Sequence, residues 1–308
     1  PVVFFGKNNS NKVFNFLINL KILFSTIAKM DIIIIGGGTQ YFEIESRKPI
    51  SILLKYLSCC VVKFKGGKFI NAGIGIGRVN SIIGKFCLKR IFQKANYSFV
   101  RDHQSKETLL RLGVLSNKIA LGKDLSYFLN GSQTKDNQNN NYINIGVNFF
   151  DYYDYLEKDP AKRNVYINTL KGFLKHLHSK KNIKIFYFAL QNKTGGKDFE
   201  FMNEIKLKEN EKVFFYKDDF NGFINELGLM DYCIGLRYHF AVLALQNKIP
   251  TIGISYQPKV ERELKEFGLE NYVIKIEGIS ESILISKFEE LIEKDNIKEQ
   301  IGQTLNKV

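Results

Sequence analysis

Short apolar runs alternate with stretches of helical periodicity along the whole chain. Runs of mostly apolar residues indicate buried strands, and apolar positions spaced three or four residues apart indicate helices. This pattern predicts strands at 31–35, 67–72, 97–100, 142–147, 183–189, 212–216, 232–236 and 251–256. It predicts helices at about 13–27, 49–57, 81–93, 103–112, 165–178, 198–208, 219–229, 240–246 and 281–294. Regular alternation of strands and helices favours an α/β fold with parallel sheets.

A polar stretch interrupts the alternation near the middle of the chain. It runs from Gly131 to Asn141 and is rich in Asn and Gln, which is typical of a linker. We therefore predict an N-terminal α/β domain at 1–134, a linker at 135–141 and a C-terminal α/β domain at 142–308. Each domain is expected to contain a Rossmann-like parallel sheet, and the two are expected to face a cleft. The chain starts inside an apolar run, Pro1–Gly6, with no Met before it, so we expect a natural N-terminal segment to be missing.

Two predicted strands end in basic residues that also begin helices. One strand stops at Arg237 and His239, and an earlier one stops at Arg101. Ligands of parallel sheets lie at the carboxyl ends of the strands, where helix N-termini attract anions. We therefore predict that Arg101, Arg237 and His239 share one anion-binding site between the domains. The alternatives are that Arg101 is a surface partner of Asp102 and that His239 is a core histidine.

Two glycine clusters follow predicted strands, where they would let the backbone turn sharply. The first contains Gly37 and Gly38, and the second, after the strand at 67–72, contains Gly75 and Gly77. Because a glycine has no Cβ to obstruct a ligand, we predict these four as substrate-binding residues. The second cluster has the spacing G-x-G-x-G, not the G-x-G-x-x-G of dinucleotide sites, and no G-x-x-x-x-G-K-[ST] motif occurs. The sequence therefore predicts no nucleotide cofactor of these kinds.

Composition adds a basic charge balance. The 308 residues include 45 Lys and Arg against 31 Asp and Glu, a formal net charge of +14. The lysines are spread along the chain without a block of like charges, and the abundance of Lys, Asn, Ile and Phe resembles the effect of AT-rich codons. We therefore give the charge no functional weight and expect no nucleic-acid partner.

The cysteines argue against disulfide bonds and metal sites, and the first apolar stretch argues against a membrane span. Four cysteines without C-x-x-C spacing are expected to be small buried hydrophobic residues in a reducing cytoplasm, with no metal and no cofactor. The stretch Val13–Ile27 contains Asn15, Asn19 and Lys21, which makes it too polar to span a membrane. A helix that faces a protein core is the better interpretation.

Six motifs occur in a characteristic order: D-I-I-I-I-G-G-G-T, G-I-G-I-G, F-V-R-D-H-Q-S-K, G-K-D-L-S-Y-F, D-Y-C-I-G-L-R-Y-H and I-S-Y-Q-P-K-V. In this order and spacing, over roughly residues 30–275, the chain resembles the polysaccharide pyruvyl transferase family. The resemblance implies a fold like that of the two-domain GT-B glycosyltransferases. It also implies that the enolpyruvyl group of phosphoenolpyruvate is transferred to two hydroxyls of a sugar, giving a pyruvate ketal and phosphate.

The resemblance implies roles for individual residues. Arg101 and Arg237 would bind the carboxylate and phosphate of phosphoenolpyruvate through bidentate hydrogen bonds, and His239 would transfer protons. Lys259 would hold a phosphate. Tyr238 stands where the family usually has Leu, and would either stack on a sugar or pack against the protein. The implied acceptor is a cell-surface polysaccharide sugar or a lipid-linked oligosaccharide, reached from the cytoplasm with peripheral contact to the inner membrane face.

Two other functions fit the same pattern. A GT-B glycosyltransferase that uses a nucleotide sugar needs a carboxylate in the second domain to hold the ribose. Glu261 and Glu263 are placed for this, although an exposed helix face explains them more simply. A non-catalytic binding or assembly protein of the same fold is the third interpretation, and it is favoured if the missing N-terminal segment is natural.

Overall fold

The computed structural model describes residues 12–43, 49–128, 142–191 and 197–306. The chain separates into two units, residues 1–128 and 129–308. The apolar run Pro1–Gly6, which has the pattern of a strand, and the predicted linker at 135–141 lie outside the described residues.

The first unit is a parallel sheet with helices packed against it. Its strands are β1 (Ile32–Gly36), β2 (Thr39–Tyr41), β3 (Lys68–Ile76), β4 (Tyr97–Val100) and β5 (Ala120–Leu121). Its helices are α1 (Lys12–Ile27), α2 (Ile50–Phe64), α3 (Ile82–Lys94) and α4 (His103–Arg111). The strands run parallel in the order β1-β3-β4-β5, and β2 pairs with the end of β3.

The second unit contains a larger parallel sheet. Its strands are β6 (Ile143–Asn148), β7 (Ile183–Ala189), β8 (Val213–Phe215), β9 (Tyr232–Gly235), β10 (Thr251–Ser255) and β11 (Val273–Lys275). Its helices are α5 (Pro160–Ser179), α6 (Asp198–Ile205), α7 (Phe220–Gly228), α8 (Tyr238–Gln246), α9 (Pro258–Glu266), α10 (Glu281–Glu293) and α11 (Ile297–Leu305). The strand order is β11-β10-β9-β6-β7-β8, and all pairs are parallel.

Large apolar side chains fill the core of each unit. Phe69 and Phe92 are fully buried in the first unit, and Phe188 and Phe240 are fully buried in the second. Removing one such side chain from water contributes about 1.5–3 kcal/mol to folding. The apolar runs of β6 and β10 therefore become strands that are buried on both faces, whereas β1 leaves Ile32 and Ile34 exposed.

Side chains fix where several helices begin. Ser81, Asp102, Asp159, Asp219 and Ser280 each accept a hydrogen bond from the backbone N–H three residues further on. Each bond satisfies one of the N–H groups that a helix start leaves unpaired. By contrast, α8 and α9 begin without a side-chain cap. Their first turns lie where strands β9 and β10 end.

The predicted α/β fold is confirmed in both units, and each strand and helix that was predicted within the described residues is present. One local prediction is wrong: β3 does not end before the second glycine cluster but continues through Gly73 and Gly75 to Ile76. Sequence analysis missed β2, β5, β11 and α11, because three of them are only two or three residues long and α11 begins a few residues after the predicted helix at 281–294. In the described ranges, no helix has both the length and the apolar character needed to cross a bilayer.

Candidate functional site

The sheet of the second unit reverses its winding between β6 and β9. β6 comes first in the unit along the chain, yet it lies between β7 and β9, so the chain winds outward from it in both directions. In sheets of this kind a crevice opens at the carboxyl ends of the two central strands, and ligands bind there. Asn148 ends β6 and Arg237 closely follows β9. Both residues therefore lie at this switch point.

Several contacts hold Arg237 in one orientation. Its backbone N–H donates to Oδ1 of Asn148 at 3.1 Å. Its side-chain Nε lies 3.2 Å from both carboxylate oxygens of Asp198, and Nη2 donates to the same carboxylate. The guanidinium carbon lies 4.0 Å from the centre of the Phe150 ring. The plane of the guanidinium is therefore fixed, as bidentate recognition of an oxyanion requires.

Asp198 is the buried partner of this arginine. Its side chain is 0% exposed, against 12% for Arg237, and it also accepts a hydrogen bond from the backbone N–H of Leu190 at 3.1 Å. Burial raises the pKa of the Asp198 carboxyl, and the guanidinium of Arg237 opposes that rise. Sequence analysis missed both Asp198 and Asn148. The available signal was an acidic residue at the start of a predicted helix in the same half of the chain.

His239 lies in the first turn of α8 and is exposed. The interpretation of His239 as a core histidine is therefore wrong. Its ring is in edge-on contact with that of Tyr238, with 5.3 Å between the ring centres. An exposed imidazole beside an oriented arginine can exchange protons with a bound molecule.

Tyr238 connects α8 to α9 through a carboxylate. Its hydroxyl donates to Oε2 of Glu263 at 2.8 Å, and Glu263 is buried. Glu261 is half-buried and accepts a hydrogen bond from the Ser255 hydroxyl at 2.9 Å. The interpretation of Glu261 and Glu263 as an exposed helix face is therefore wrong. Lys259, in the first turn of α9, is half-buried.

Arg101 occupies a comparable position after β4 in the first unit. Its side chain is 5% exposed. Nη1 donates to Asp124 at 2.7 Å and Nη2 donates to the Thr39 hydroxyl at 3.0 Å, while Asp102 lies 3.5 Å from Nε. The alternative of a surface residue paired with Asp102 is wrong, because the guanidinium is buried and its shortest ion pair is with Asp124. Asp124 belongs to the G-K-D-L-S-Y-F motif, and the sequence analysis assigns no role to the residues of that motif.

The four predicted substrate-binding glycines lie around this arginine and the end of β3. Gly37 and Gly38 have φ angles of 65° and 63°, which glycine adopts at little cost, and they form the turn between β1 and β2. A Cβ at Gly77 would lie 2.8 Å from the Cβ of Phe42, and a Cβ at Gly75 would lie 2.7 Å from Nε of Arg101. The space that Gly75 and Gly77 leave is therefore occupied by the protein's own side chains.

Gly75→Ala is expected to destabilise the protein by about 1–3 kcal/mol, because the new methyl group pushes the Arg101 guanidinium away from its partners in a packed interior. Urea denaturation followed by circular dichroism measures the change. Gly278→Ala is the matched control, since a Cβ at Gly278 meets nothing within 4 Å. A Gly75→Ala protein as stable as the control would contradict the close packing of Gly75 against Arg101.

The structure brings the predicted residues together in two groups. Arg237, Tyr238 and His239 lie together in the second unit, and Arg101 lies against Gly75 in the first. One site shared by both units stays a prediction. Within the described ranges, no group of three or more His, Cys, Asp and Glu side chains is arranged to hold a metal ion.

Comparison with known proteins adds a family and a fold. The model of the family described as polysaccharide pyruvyl transferase matches residues 3–258. A search of curated proteins found no match.

Solved structures of sugar-nucleotide enzymes share the fold. A protein from Listeria monocytogenes assigned as a UDP-N-acetylglucosamine 2-epimerase is 12% identical, with a TM-score of 0.65 over 98% of this chain and 77% of that one. The UDP-GlcNAc 2-epimerase of Methanocaldococcus jannaschii is 14% identical, with a TM-score of 0.59 over 97% and 84% of the two chains. The enzyme of the same name from Neisseria meningitidis is 11% identical, with a TM-score of 0.59 over 96% and 78%. At these identities the likeness shows the fold alone, and it confirms the GT-B-like prediction.

Proposed function

The chain belongs to the polysaccharide pyruvyl transferase family, and we propose that it transfers the enolpyruvyl group of phosphoenolpyruvate to two hydroxyls of a polysaccharide sugar. The product would be a cyclic pyruvate ketal, with release of inorganic phosphate. One observation carries the proposal: Arg237 and His239 lie together at the switch point of the second unit, inside the range that the family model matches.

Phosphoenolpyruvate carries a carboxylate and a phosphate, so its site must concentrate positive charge. Arg237 supplies a guanidinium whose plane Asp198 and Phe150 fix. It also stands at the start of α8, where no side chain caps the first turn, and such a helix start favours an anion. Lys259 adds a cation in the equally uncapped first turn of α9.

The reaction needs one proton delivered to carbon and two protons removed from hydroxyls. Protonation of the methylene carbon makes C2 of the enolpyruvyl group electron-deficient, and the first sugar hydroxyl adds to C2 as it loses its proton. The second hydroxyl then forms a second bond to C2, loses its proton and displaces phosphate. We assign proton transfer to His239, because an imidazole changes charge near neutral pH.

We also assign a substrate-binding role to Arg101. Each unit contains an arginine that follows a strand within two residues and is oriented by a buried aspartate: Asp124 holds Arg101 and Asp198 holds Arg237. An arginine held in this way has a fixed guanidinium plane, which orients its charge toward an oxyanion. This similarity between the units supports the role of Arg101. The roles proposed for Arg237 and His239 do not depend on it.

We place the protein in the cytoplasm on the basis of its thiols. Cys59, Cys60, Cys87 and Cys233 are free, and three of them are buried. Burial raises the pKa of the Cys59 thiol to about 11, so this group is protonated at neutral pH. Free thiols of this kind fit a reducing compartment.

Phosphoenolpyruvate is expected to raise the thermal unfolding midpoint of the protein, because a ligand that binds the folded state stabilises it by about 2.7 kcal/mol at a hundred times its Kd. The folded Arg237→Lys variant should lose most of this effect, since a point charge does not reproduce the guanidinium fork. Stabilisation by uridine diphosphate but not by phosphoenolpyruvate would favour a glycosyltransferase instead. Stabilisation by neither would favour a non-catalytic relative.

A further inference from the structure

All of the net positive charge of the chain lies in the first unit. Residues 1–128 contain 20 Lys and Arg against six Asp and Glu, whereas residues 129–308 contain 25 of each. Residues 46–101 contain 12 Lys and Arg and no Asp or Glu. AT-rich codons would add lysine to both units alike, so they do not account for this asymmetry. A charge of one sign confined to one unit indicates an anionic partner for that unit.

Helix α3 lies within this acid-free stretch and exposes large apolar side chains. Ile82 is 87% exposed, Ile83 is 55% exposed and Phe86 is 51% exposed. Because Ile82 and Phe86 are four residues apart, they lie one above the other on the same face of the helix. The opposite face, which includes Cys87 and Leu88, is buried in the core of the unit. The apolar residues of α3 therefore serve two faces, one of which meets solvent.

Cations flank the exposed apolar residues on both sides. With about 3.6 residues per turn, Lys85 and Lys89 lie to one side of the line from Ile82 to Phe86, and Arg90 lies to the other. The guanidinium carbon of Arg90 is 5.4 Å from the centre of the Phe86 ring. A helix with an apolar centre, cationic flanks and a long basic side chain laid over the apolar part is typical of helices that lie in a membrane interface.

The first turn of α3 is fixed by its own hydrogen bonds. The Ser81 hydroxyl accepts from the backbone N–H of Gly84. The carboxylate of Glu43 accepts from the backbone N–H groups of Asn80 and Ser81 at 2.7 and 2.9 Å. Glu43 therefore holds the turn that precedes α3, and Ile82 is presented to solvent by a rigid scaffold.

We propose that the solvent-facing side of α3 docks on an anionic lipid bilayer. Ile82 and Phe86 enter the boundary between headgroups and acyl chains, while Lys85, Lys89 and Arg90 pair with anionic headgroups. A second copy of the chain fits this face poorly, because two copies would bring like charges together. Nucleic acid also fits poorly, because bases stack on aromatic side chains, whereas this face exposes two isoleucines beside Phe86, whose ring Arg90 already overlies. The proposal concerns binding alone and does not depend on the transfer reaction.

Flotation of the full chain with lipid vesicles tests the proposal without phosphoenolpyruvate or an acceptor. We expect binding to vesicles of phosphatidylcholine mixed equally with phosphatidylglycerol, weak binding to phosphatidylcholine alone, and loss of binding as salt is raised. Each cation near an anionic surface contributes roughly five-fold to partitioning. The double variant Lys85→Glu with Arg90→Glu should therefore bind at least about 25-fold more weakly. Ile82→Ser with Phe86→Ser should also weaken binding, although it leaves the charge unchanged.

The matched control is Lys175→Glu with Ile283→Ser in the second unit. Both residues are exposed, and the same types of change are made, so this variant should bind like the parent. The single variant Ile82→Ser guards against a folding defect in the Phe86 variant, because Ile82 has little packing to lose. Circular dichroism establishes that each variant is folded.

Four outcomes would overturn the proposal. The first is an absence of binding to vesicles that contain phosphatidylglycerol. The second is binding that the α3 variants weaken no more than the control variant does. The third is a dimer in sedimentation velocity that the α3 variants dissociate, which would assign the face to a second copy. The fourth is binding to a DNA oligonucleotide without binding to vesicles, which would assign the charge to nucleic acid.

Discussion

The His239→Gln variant is expected to release phosphate from phosphoenolpyruvate roughly a hundred- to ten-thousand-fold more slowly than the parent, in the presence of an acceptor sugar. This is the range that a positioned general acid or base contributes. Glutamine keeps hydrogen-bonding groups at a similar reach but does not titrate, so the loss would report proton transfer. Because His239 is exposed, the substitution should change stability by no more than about 0.5 kcal/mol.

His176→Gln is the control for this experiment. His176 belongs to the same unit and lies near the end of α5, far along the chain from the start of α8. It is partly exposed and contacts Glu289 of α10. It should leave the rate unchanged. Near-normal turnover by folded His239→Gln would remove His239 from the mechanism, and a loss of folded protein would contradict its exposed position.

Most of the fold was predictable because its main strands and helices are long enough to show a clear pattern of apolar and polar residues. The strand at 183–189 was predicted with the observed bounds, since its isoleucine and aromatic residues have a high strand propensity. The end of β3 was not predictable in this way. Glycine is uncommon inside strands, but β3 continues through Gly75 because β2 and β4 pair with its last residues, and the local sequence does not show this long-range pairing.

The candidate site was predicted only as far as local sequence allows. Arg237 and His239 were found because a strand and a helix meet there within a few residues. Asp198 lies 39 residues away along the chain from Arg237 and reaches it only through the order of β6, β7 and β9. Nothing in a single sequence fixes which acid pairs with which base over such a separation. Arg101 and Asp124 illustrate the same limit in the first unit.

The distribution of charge between the two units was missed for a different reason. The lysines are evenly spread, as the sequence analysis states, but the acidic residues are not. The asymmetry becomes visible only when the counts are divided at residue 128, where the structure separates the two units. The predicted boundary at residue 134 came from linker composition and was not connected to charge. Net charge is therefore informative for each folded unit and less so for a whole chain.

Asp198→Ala is expected to destabilise the protein by about 3–5 kcal/mol, which is the usual result when one partner of a buried ion pair is removed. The Arg237 side chain is 12% exposed and stacks on Phe150, so its charge would remain in a poorly hydrated place without its carboxylate. Urea denaturation at neutral pH measures the loss. The same change should weaken phosphoenolpyruvate binding, because the plane of the guanidinium is no longer fixed.

The double variant Asp198→Ala with Arg237→Met separates the ion pair from general packing. Removing both charges should restore part of the stability that Asp198→Ala loses, because no unpaired charge stays buried. Glu107→Ala is the control for an exposed pair: Glu107 and Arg111 are 61% and 79% exposed, and breaking such a pair costs about 0.5 kcal/mol or less. If Asp198→Ala were no more destabilising than Glu107→Ala, Arg237 would not depend on Asp198 for its position. The orientation of the arginine at the switch point would then need another cause.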